Sequence, residues 1–536
     1  MLKKLLNAQS KTITSAAIIL GAASLFSRLL GVLRDRVLAG QFGAGGELDA
    51  YYAAFRVPDL VFNLIIVGAL AAGFIPVFSG YLNDKKKAWE LVNVVLNIMS
   101  LVIIGVSVLF GLLAPWLAKI VAPGFSPQHL ALTANLTRVM FISSIFLGVS
   151  GIFGSVLQSF RRFFIYSLAP ILYNIGIIFD ALFFTKSFGV MGLAWGVALG
   201  AGLHMAIQII ATADLGYRWR PVLDLNHKGL RQIFSLMLPR TMGLIIAQIN
   251  FFIITIIGSS LASGSIAVFN FANNIQSFPL GLFGVSFAIA VFPTLTELVP
   301  KRKQFIDALS LAVRQILFLI IPSSILLIVL RAQVVRIILG SGRFDWEDTV
   351  LTLETLSFFA VSLFAQSLNL VLARAFYAHH DSKTPFYSGL VAVATNIILA
   401  VMLVDQFGVI GLALAFSLST IFDFFLMTLL LHHKLGKLDG QRIISSITKI
   451  LVASFMLGLS AWAAKIYLGQ IFGTDTFVSV MLQGIGACLI GSAVYLGTGW
   501  LLHSEELTLF LNSFKNKFIK PKVAVEDIIA SDSLTQ

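Results

Sequence analysis

Apolar runs long enough to cross a bilayer recur along nearly the whole chain, and no other feature limits the possible folds as strongly. A spanning helix needs about 20 residues. Inside lipid every backbone N–H and C=O must be satisfied within the structure, which leaves helices or a closed barrel. The runs here are continuous rather than alternating, which selects helices. Their starts fall near residues 13, 48, 88, 131, 163, 190, 229, 264, 304, 349, 385, 409, 443 and 477, and the last run ends near Leu502. An all-α, polytopic membrane protein of about fourteen spans is therefore expected. Composition agrees, with 58% hydrophobic and only 12% charged residues, against about 25% charged in soluble domains. A soluble globular fold is excluded, because too few polar residues remain to cover it. The single cysteine, Cys488, excludes an intrachain disulfide and a cysteine-cluster metal site.

The chain carries 38 Lys and Arg against 25 Asp and Glu. Nucleic acid is not the implied partner, because the cations sit in alternate loops: Lys85 to Lys87, Arg161 and Arg162, Arg218 to Arg231, Lys301 to Lys303, Lys383, and Lys434 to Arg442. The opposite loops are nearly free of cations, apart from Lys186 and the group Arg331, Arg336 and Arg343. The positive-inside rule then puts both termini in the cytoplasm, which requires an even number of spans. The basic start (Lys3, Lys4, Lys11) with Gly21, Ala22 and Ala23 is read as leading into a first span rather than a cleaved signal. The tail with Lys515, Lys517, Lys520 and Lys522 is expected along the inner membrane surface.

An internal repeat is visible. Residues 188–195 read FGVMGLAW and residues 407–414 read FGVIGLAL, 219 residues apart. Phe74-Ile75-Pro76 likewise matches Val291-Phe292-Pro293 at a separation of 217. Spans 1 to 6 thus match 7 to 12, and an offset of six spans keeps both halves in the same orientation, a parallel repeat. The expected organisation is a first lobe over 1–225, a second over 226–438, two further helices over 439–502, and a cytoplasmic tail over 503–536.

No phosphate-cradling glycine loop with Lys and Ser or Thr, no paired-histidine metal motif and no large soluble insertion is present, so an ATP-driven pump is not indicated. The informative residues are charges inside spans, which are costly in lipid. The first span carries Arg28, Arg34, Asp35 and Arg36, and the second carries Asp49, Arg56 and Asp59. If the first helix enters at Ile13, Arg28 lies about 22 Å along it and Arg34 about 9 Å further. Arg28 and Asp35 share a helical face, whereas Arg34 is expected on another. The plainer reading pairs these charges as a clamp of the helical hairpin, and it is preferred for Asp35, Arg36, Asp49 and Asp59. Four cations against three carboxylates leave positive charge over, and guanidinium forks suit a phosphate or pyrophosphate. Arg28, Arg34 and Arg56 are therefore the candidate binding residues. Gln248, Asn250, Asn273 and Asn274 place amides in the counterpart spans and are candidate polar cavity residues.

The run Phe26-Ser27-Arg28-Leu29-Leu30-Gly31 with Arg34-Asp35, then Phe42-Gly43-Ala44-Gly45, Asp49-Ala50, Phe55-Arg56-Val57-Pro58 and Gly73-Phe74-Ile75-Pro76-Val77-Phe78, resembles the MurJ (MviN) family of lipid II flippases. Further matching motifs include Phe160-Arg161-Arg162-Phe163, Ala169-Pro170 with Asn174, Gln248-Ile249-Asn250, Phe278-Pro279-Leu280-Gly281, Gly342-Arg343-Phe344-Asp345 and Arg374-Ala375-Phe376-Tyr377-Ala378. The resemblance covers about residues 10 to 500. It implies a MATE-like fold of the MOP exporter superfamily, with two six-helix lobes around a central cavity and two extra helices forming a groove for a lipid tail. It also implies that Arg28 and Arg34 match cavity arginines, that Asp49 matches an acidic position and that Arg56 matches a basic one. The chain departs from the pattern at Phe62, Asn63 and Val67, where members have an Arg pair and a Glu, and at Asn274, where they have a cavity Arg. Some members are thought to bind sodium through an Asn and an Asp one turn apart; here Asn396 is followed by Ala400.

The expectation is a flippase of the bacterial inner membrane that carries an undecaprenyl-pyrophosphate-linked wall precursor, with no catalytic residue, no cofactor and no metal site beyond the sodium candidate Asn396. Sodium or the membrane potential is the candidate energy source, and nothing in the sequence demands an oligomer. The rivals are a flippase for another polyprenyl-linked oligosaccharide, and a non-transporting scaffold for cell-wall synthesis proteins.

Overall fold

In the computed structural model the backbone is described for residues 13–64 and 73–519, and side chains for 19–64, 73–237 and 248–512; within these residues it is helical without strands. Val67, the basic start and the lysine side chains of the tail lie outside the described residues. The long helices are α1 (Ile13–Phe42), α2 (Gly46–Phe62), α3 (Lys85–Leu112), α4 (Pro127–Ser159), α5 (Phe163–Phe183), α6 (Val190–Ala213), α7 (Lys228–Gly258) and α8 (Ser265–Pro279). A π-helical turn over Leu280–Val285 joins α8 to α9 (Ser286–Leu298). Then follow α10 (Arg302–Val329), α11 (Trp346–Ala378), α12 (Lys383–Leu435), α13 (Gly440–Phe472), α14 (Phe477–Leu501) and α15 (Glu505–Ile519). Among the described residues ten helices are long and apolar enough to cross a membrane; α2, with 17 residues, is shorter than these.

Several helices begin a few residues earlier than their apolar runs, because polar caps extend them. Asp84 accepts the Lys86 and Lys87 N–H groups at the start of α3. Ser126 accepts the His129 N–H at the start of α4, with Pro127 in the first turn. The capping bonds, the Lys87 N–H foremost, hold the Asp84 carboxyl below its usual range.

The repeat seen in the sequence recurs in the backbone. Gly189, at the start of α6, has φ 56° and ψ −143°. Gly408 breaks α12 with φ 55° and ψ −133°. Both sit in the left-handed region that glycine tolerates, 219 residues apart. Three residues on in each copy the chain crosses its own preceding helix closely: a Cβ on Gly192 would meet the backbone of Phe184, and one on Gly411 the backbone of Leu403.

Helices pack into two compact units, one of Met1–Phe278, Val335–Phe359 and Phe386–Ser419, the other of Pro279–Val334, Ala360–Pro385 and Thr420–Gln536. The first is centred on Phe74, Phe78, Leu91, Met99 and Phe153, with Trp89, Phe160 and Tyr217 packed edge-on or tilted against Phe78 and Phe153. The second is centred on Phe305, Ile316, Phe318 and Phe376. In the second unit Arg314 is tied to α15, its Nη1 donating to Glu506 Oε1 at 2.6 Å and Glu505 Oε2 at 2.9 Å. Glu506 also accepts the Ser446 and Ser504 hydroxyls, both at 2.8 Å. The buried carboxylate is thereby satisfied on all sides, which a buried charge requires.

Between α11 and α12, Asp381 accepts the Lys434 ammonium at 2.6 Å, the Thr384 N–H at 3.0 Å and the Thr384 hydroxyl at 2.8 Å. Burial pushes this carboxyl up, but the bonds from Lys434 and Thr384 outweigh it and hold its pKa at about 2. A depressed carboxylate stabilises the fold above its unfolded value near 4 and loses that contribution as pH falls toward 2. Both partners are partly exposed, so Asp381→Asn is expected to cost about 0.5–1 kcal/mol at pH 7. Thermal unfolding in detergent checks this: the wild-type advantage persists at pH 5 to 7 and shrinks between about pH 4 and 2.

Candidate functional site

The charges of α1 and α2 converge on one face of α8. Asn270, Asn274 and Ser277 recur at helical spacing and form a polar stripe on an otherwise apolar helix. At the start of α8, Asp49 accepts the Gly264 N–H at 2.6 Å and the Ala267 N–H at 2.8 Å. One turn further on, Arg56 Nη2 donates to Asn270 Oδ1 at 3.2 Å, and its Nε donates to Thr255 Oγ1 at 2.7 Å. The guanidinium also lies over the Phe251 ring, 5.4 Å from the centroid. Next, Asn274 donates to Asp35 Oδ2 at 2.9 Å. Last, Arg28 Nη1 donates to the Ser277 carbonyl at 3.2 Å. Residue numbers on α1 fall as those on α8 rise, so the two helices meet antiparallel.

Asp35 is the hub. Its Oδ1 accepts Arg34 Nη2 at 2.8 Å and Nε at 3.0 Å, an adjacent-residue pair rather than a link between helices. Arg34 Nη1 reaches Asn174 Oδ1 at 3.5 Å, and Asn174 in turn donates to Ser27. Helical phase placed Arg34 on another face from Asp35, but a guanidinium on three methylenes bends back across one residue. The expected hairpin clamp takes a different form. Asp49 is a helix cap in trans, and Arg36 donates to the Ile337 carbonyl at 2.7 Å. Asp59 stands half-buried one turn from Arg56, within electrostatic range of it but with no cation inside ion-pair distance among the described residues. Buried backbone amides at an uncapped helix start compete for a carboxylate as effectively as a cation does.

The far end of α1 is fixed by backbone contacts. The Ala44 N–H donates to Asp348 Oδ2 at 2.8 Å and the Arg343 N–H to the Gly40 carbonyl at 2.8 Å. Gly264 (φ +93°) and Gly342 (φ +58°) lie so close to the carbonyls of Ala44 and Gly40 that a Cβ on either would overlap them.

Of the candidate amides, Asn274 joins the site, and Asn273 accepts Gln276 Nε2 at 3.0 Å within α8. Gln248 is half-buried and is not brought into this chain of bonds. Asn396 donates to Asn250 Oδ1 at 2.6 Å, and its own Oδ1 is buried without a partner among the described residues. Ala400, one turn on, brings no carboxylate beside that oxygen, so the Asn and Asp pair of the resemblance is incomplete here. Asn63 donates to the Asp59 carbonyl at 2.8 Å, and Phe62 packs on the first unit's core, so two of the departing positions carry structural contacts. Sequence reasoning missed Asn270, Thr255, Asn174's bond to Arg34, and the tyrosines. Tyr51, Tyr52 and Tyr173 stand within electrostatic range of Arg34, and the Tyr52 hydroxyl is buried without a partner among the described residues. Asn270 was detectable as the residue one turn before Asn274.

Of the three candidate arginines Arg28 is the least engaged. Its one bond among the described residues goes to a neutral carbonyl, whereas Arg34 holds a carboxylate and Arg56 holds two side chains and a ring.

Residues 38–482 match the family model described as lipid II flippase MurJ. A probable lipid II flippase MurJ of Thermotoga maritima is 30% identical over 490 residues, covering 90% of this chain and 95% of the relative. One from Buchnera aphidicola subsp. Acyrthosiphon pisum is 28% identical, covering 88% and 94%. Among solved structures, a lipid II flippase MurJ in an inward closed conformation superposes with a TM-score of 0.75 at 25% identity, covering 91% of this chain and 99% of that one. An inward-facing multidrug MATE transporter of the MOP superfamily shares the fold, with a TM-score of 0.65 at 15% identity over 79% of this chain and 99% of that one. The all-helical, multi-pass membrane fold, the MATE-like architecture and the match along most of its length together make this chain a member of the lipid II flippase MurJ family.

Proposed function

We propose that the chain carries lipid II, the undecaprenyl-pyrophosphate-linked peptidoglycan precursor, from the inner to the outer leaflet of the bacterial inner membrane by alternating access. Family membership supports the cargo, and one observation supports the mechanism: Arg28, charged and deep in α1, is held by a single backbone carbonyl of α8. A pyrophosphate offers that guanidinium two charged oxygens in place of one neutral one, so cargo displaces the Ser277 contact at little cost. Arg34 and Arg56 add positive field around it, with Asp35 keeping Arg34 oriented. The bonds to α8 join the two expected six-helix lobes, 1–225 and 226–438, and exchanging them for cargo contacts is the coupling that alternating access needs. The helices over 439–502 are assigned to the lipid tail, which does not cross a polar cavity cheaply. An inside-negative potential favours outward movement of an anionic headgroup, by about 2.3 kcal/mol per charge per 100 mV, and we take it as the energy source. The chain acts as a transporter with both termini in the cytoplasm, and no chemical step is assigned to it.

The test is complementation of a flippase-depleted bacterium, with outer-leaflet lipid II scored by a non-permeant reagent. Rescue supports the reading. Stable membrane expression without outer-leaflet lipid II favours another polyprenyl-linked oligosaccharide, to which the uncharged Phe62, Asn63 and Asn274 are suited, or a scaffold.

A further inference from the structure

Two asparagines one turn apart on α3 hold the loop after α6 in a fixed shape. Asn93 Nδ2 donates to the Arg218 carbonyl at 3.2 Å, and its Oδ1 accepts the Tyr217 hydroxyl at 2.7 Å and the Arg220 N–H at 2.9 Å. Asn97 Nδ2 donates to the Arg220 carbonyl at 2.7 Å and the Val222 carbonyl at 3.0 Å, and its Oδ1 accepts the Trp219 indole N–H at 2.9 Å. Six bonds on two side chains are far more than a surface loop needs. They fix the Trp219 ring, 62% exposed, with Arg218 and Arg220 on either side, both exposed and neither with a carboxylate inside ion-pair distance among the described residues.

Below the indole an apolar groove of about 360 Å³ runs along α3, walled by Leu96, Leu101, Ile104, Val149, Pro221 and Leu223. From Leu96 to Ile104 it descends about 12 Å along the helix. Leu101 and Ile104 face outward from a helix long and apolar enough to span, so the groove opens to lipid.

We infer that this groove binds an anionic phospholipid, one acyl chain lying along α3 under Trp219 and the phosphate resting on Arg218 and Arg220. Charge complementarity identifies the occupant. A zwitterionic lipid or a second helix fills the apolar groove equally well, but the cation of a zwitterionic headgroup cancels its phosphate, and only a net-anionic headgroup complements the positive charge of two unpaired guanidiniums at the mouth. An indole whose N–H is fixed inward offers its ring face to the chain. The inference rests on α3 spanning the membrane and is independent of the transported cargo.

Fluorescence quenching by phospholipids brominated in their acyl chains tests it, on the full chain in phosphatidylcholine bilayers. The difference between the wild type and Trp219→Phe isolates the Trp219 signal. Brominated phosphatidylglycerol is expected to quench that signal at far lower mole fraction than brominated phosphatidylcholine. Joint substitution Arg218→Gln and Arg220→Gln should erase a preference of roughly 30-fold, the loss expected for two basic residues at a membrane surface. Asn97→Ala, which frees the indole and two carbonyls, should weaken quenching by both lipids without changing membrane insertion. Equal quenching by the two lipids in the wild type overturns the inference, as does a preference that survives loss of both arginines. No quenching by either lipid, with a second copy cross-linking at Trp219, overturns it in favour of self-association.

Discussion

Arg28→Ala is expected to abolish the appearance of lipid II in the outer leaflet while leaving the protein folded and inserted. The side chain loses one bond to the Ser277 carbonyl, a contact of modest net worth, so stability changes little. What disappears is a guanidinium free to take a phosphate, and truncating one partner of a buried charged contact costs about 2–4 kcal/mol of binding, or roughly 30- to 1000-fold. Arg28→Lys keeps the charge without the planar fork and should fall between. Arg34→Ala should behave differently, because it strips Asp35 of its cation and lowers the amount of folded protein as well as transport. The measurement is outer-leaflet lipid II per unit of membrane protein for the three variants. Transport by Arg28→Ala within twofold of wild type sinks the assignment.

The second large effect falls on a residue that reads from sequence as half of an ion pair. Asp49→Ala removes both acceptors from the buried N–H groups of Gly264 and Ala267. Two orphaned amides at a helix start, plus loss of the favourable interaction with its dipole, are expected to cost about 3 kcal/mol or more. Asp49→Asn keeps one acceptor oxygen and should recover about half. Thermal unfolding of detergent-solubilised protein ranks the three. If instead Asp49 served as a counter-ion, Asn would be as damaging as Ala, and removing a neighbouring arginine would rescue it.

Much of the fold was legible because lipid makes periodicity and length so informative. The helix starts differ from the sequence expectation mainly where Asp84 and Ser126 prolong a helix past its apolar stretch. The repeat was readable too, since glycine at 189 and 408 is there for a backbone angle that few other residues adopt. The site was half legible. The sequence shows which residues are charged but not what each one meets: helical phase sets Arg34 apart from Asp35, which it nonetheless holds, and the clamp reading misses that Arg34 also reaches Asn174, Asp35 meets Asn274 and Asp49 meets two backbone amides. Such partners lie more than a hundred residues away and carry no charge to announce them. Gly264 and Gly342 were silent for the same reason: their role is a close approach to a distant carbonyl.

The fastening of α1 at its Gly40–Ala44 end makes the helix a lever with a fixed fulcrum. Arg28 lies about 21 Å from Phe42 along the axis and Arg34 about 12 Å. A tilt of about 10° about that end therefore swings Arg28 by about 4 Å and Arg34 by about 2 Å. The first displacement is enough to carry a guanidinium off the Ser277 carbonyl, while the second can be absorbed by bending side chains around Asp35. Mechanical advantage thus falls on the residue with the weakest tether, and a small rotation of one helix becomes a full exchange of partners at one end and almost none at the other.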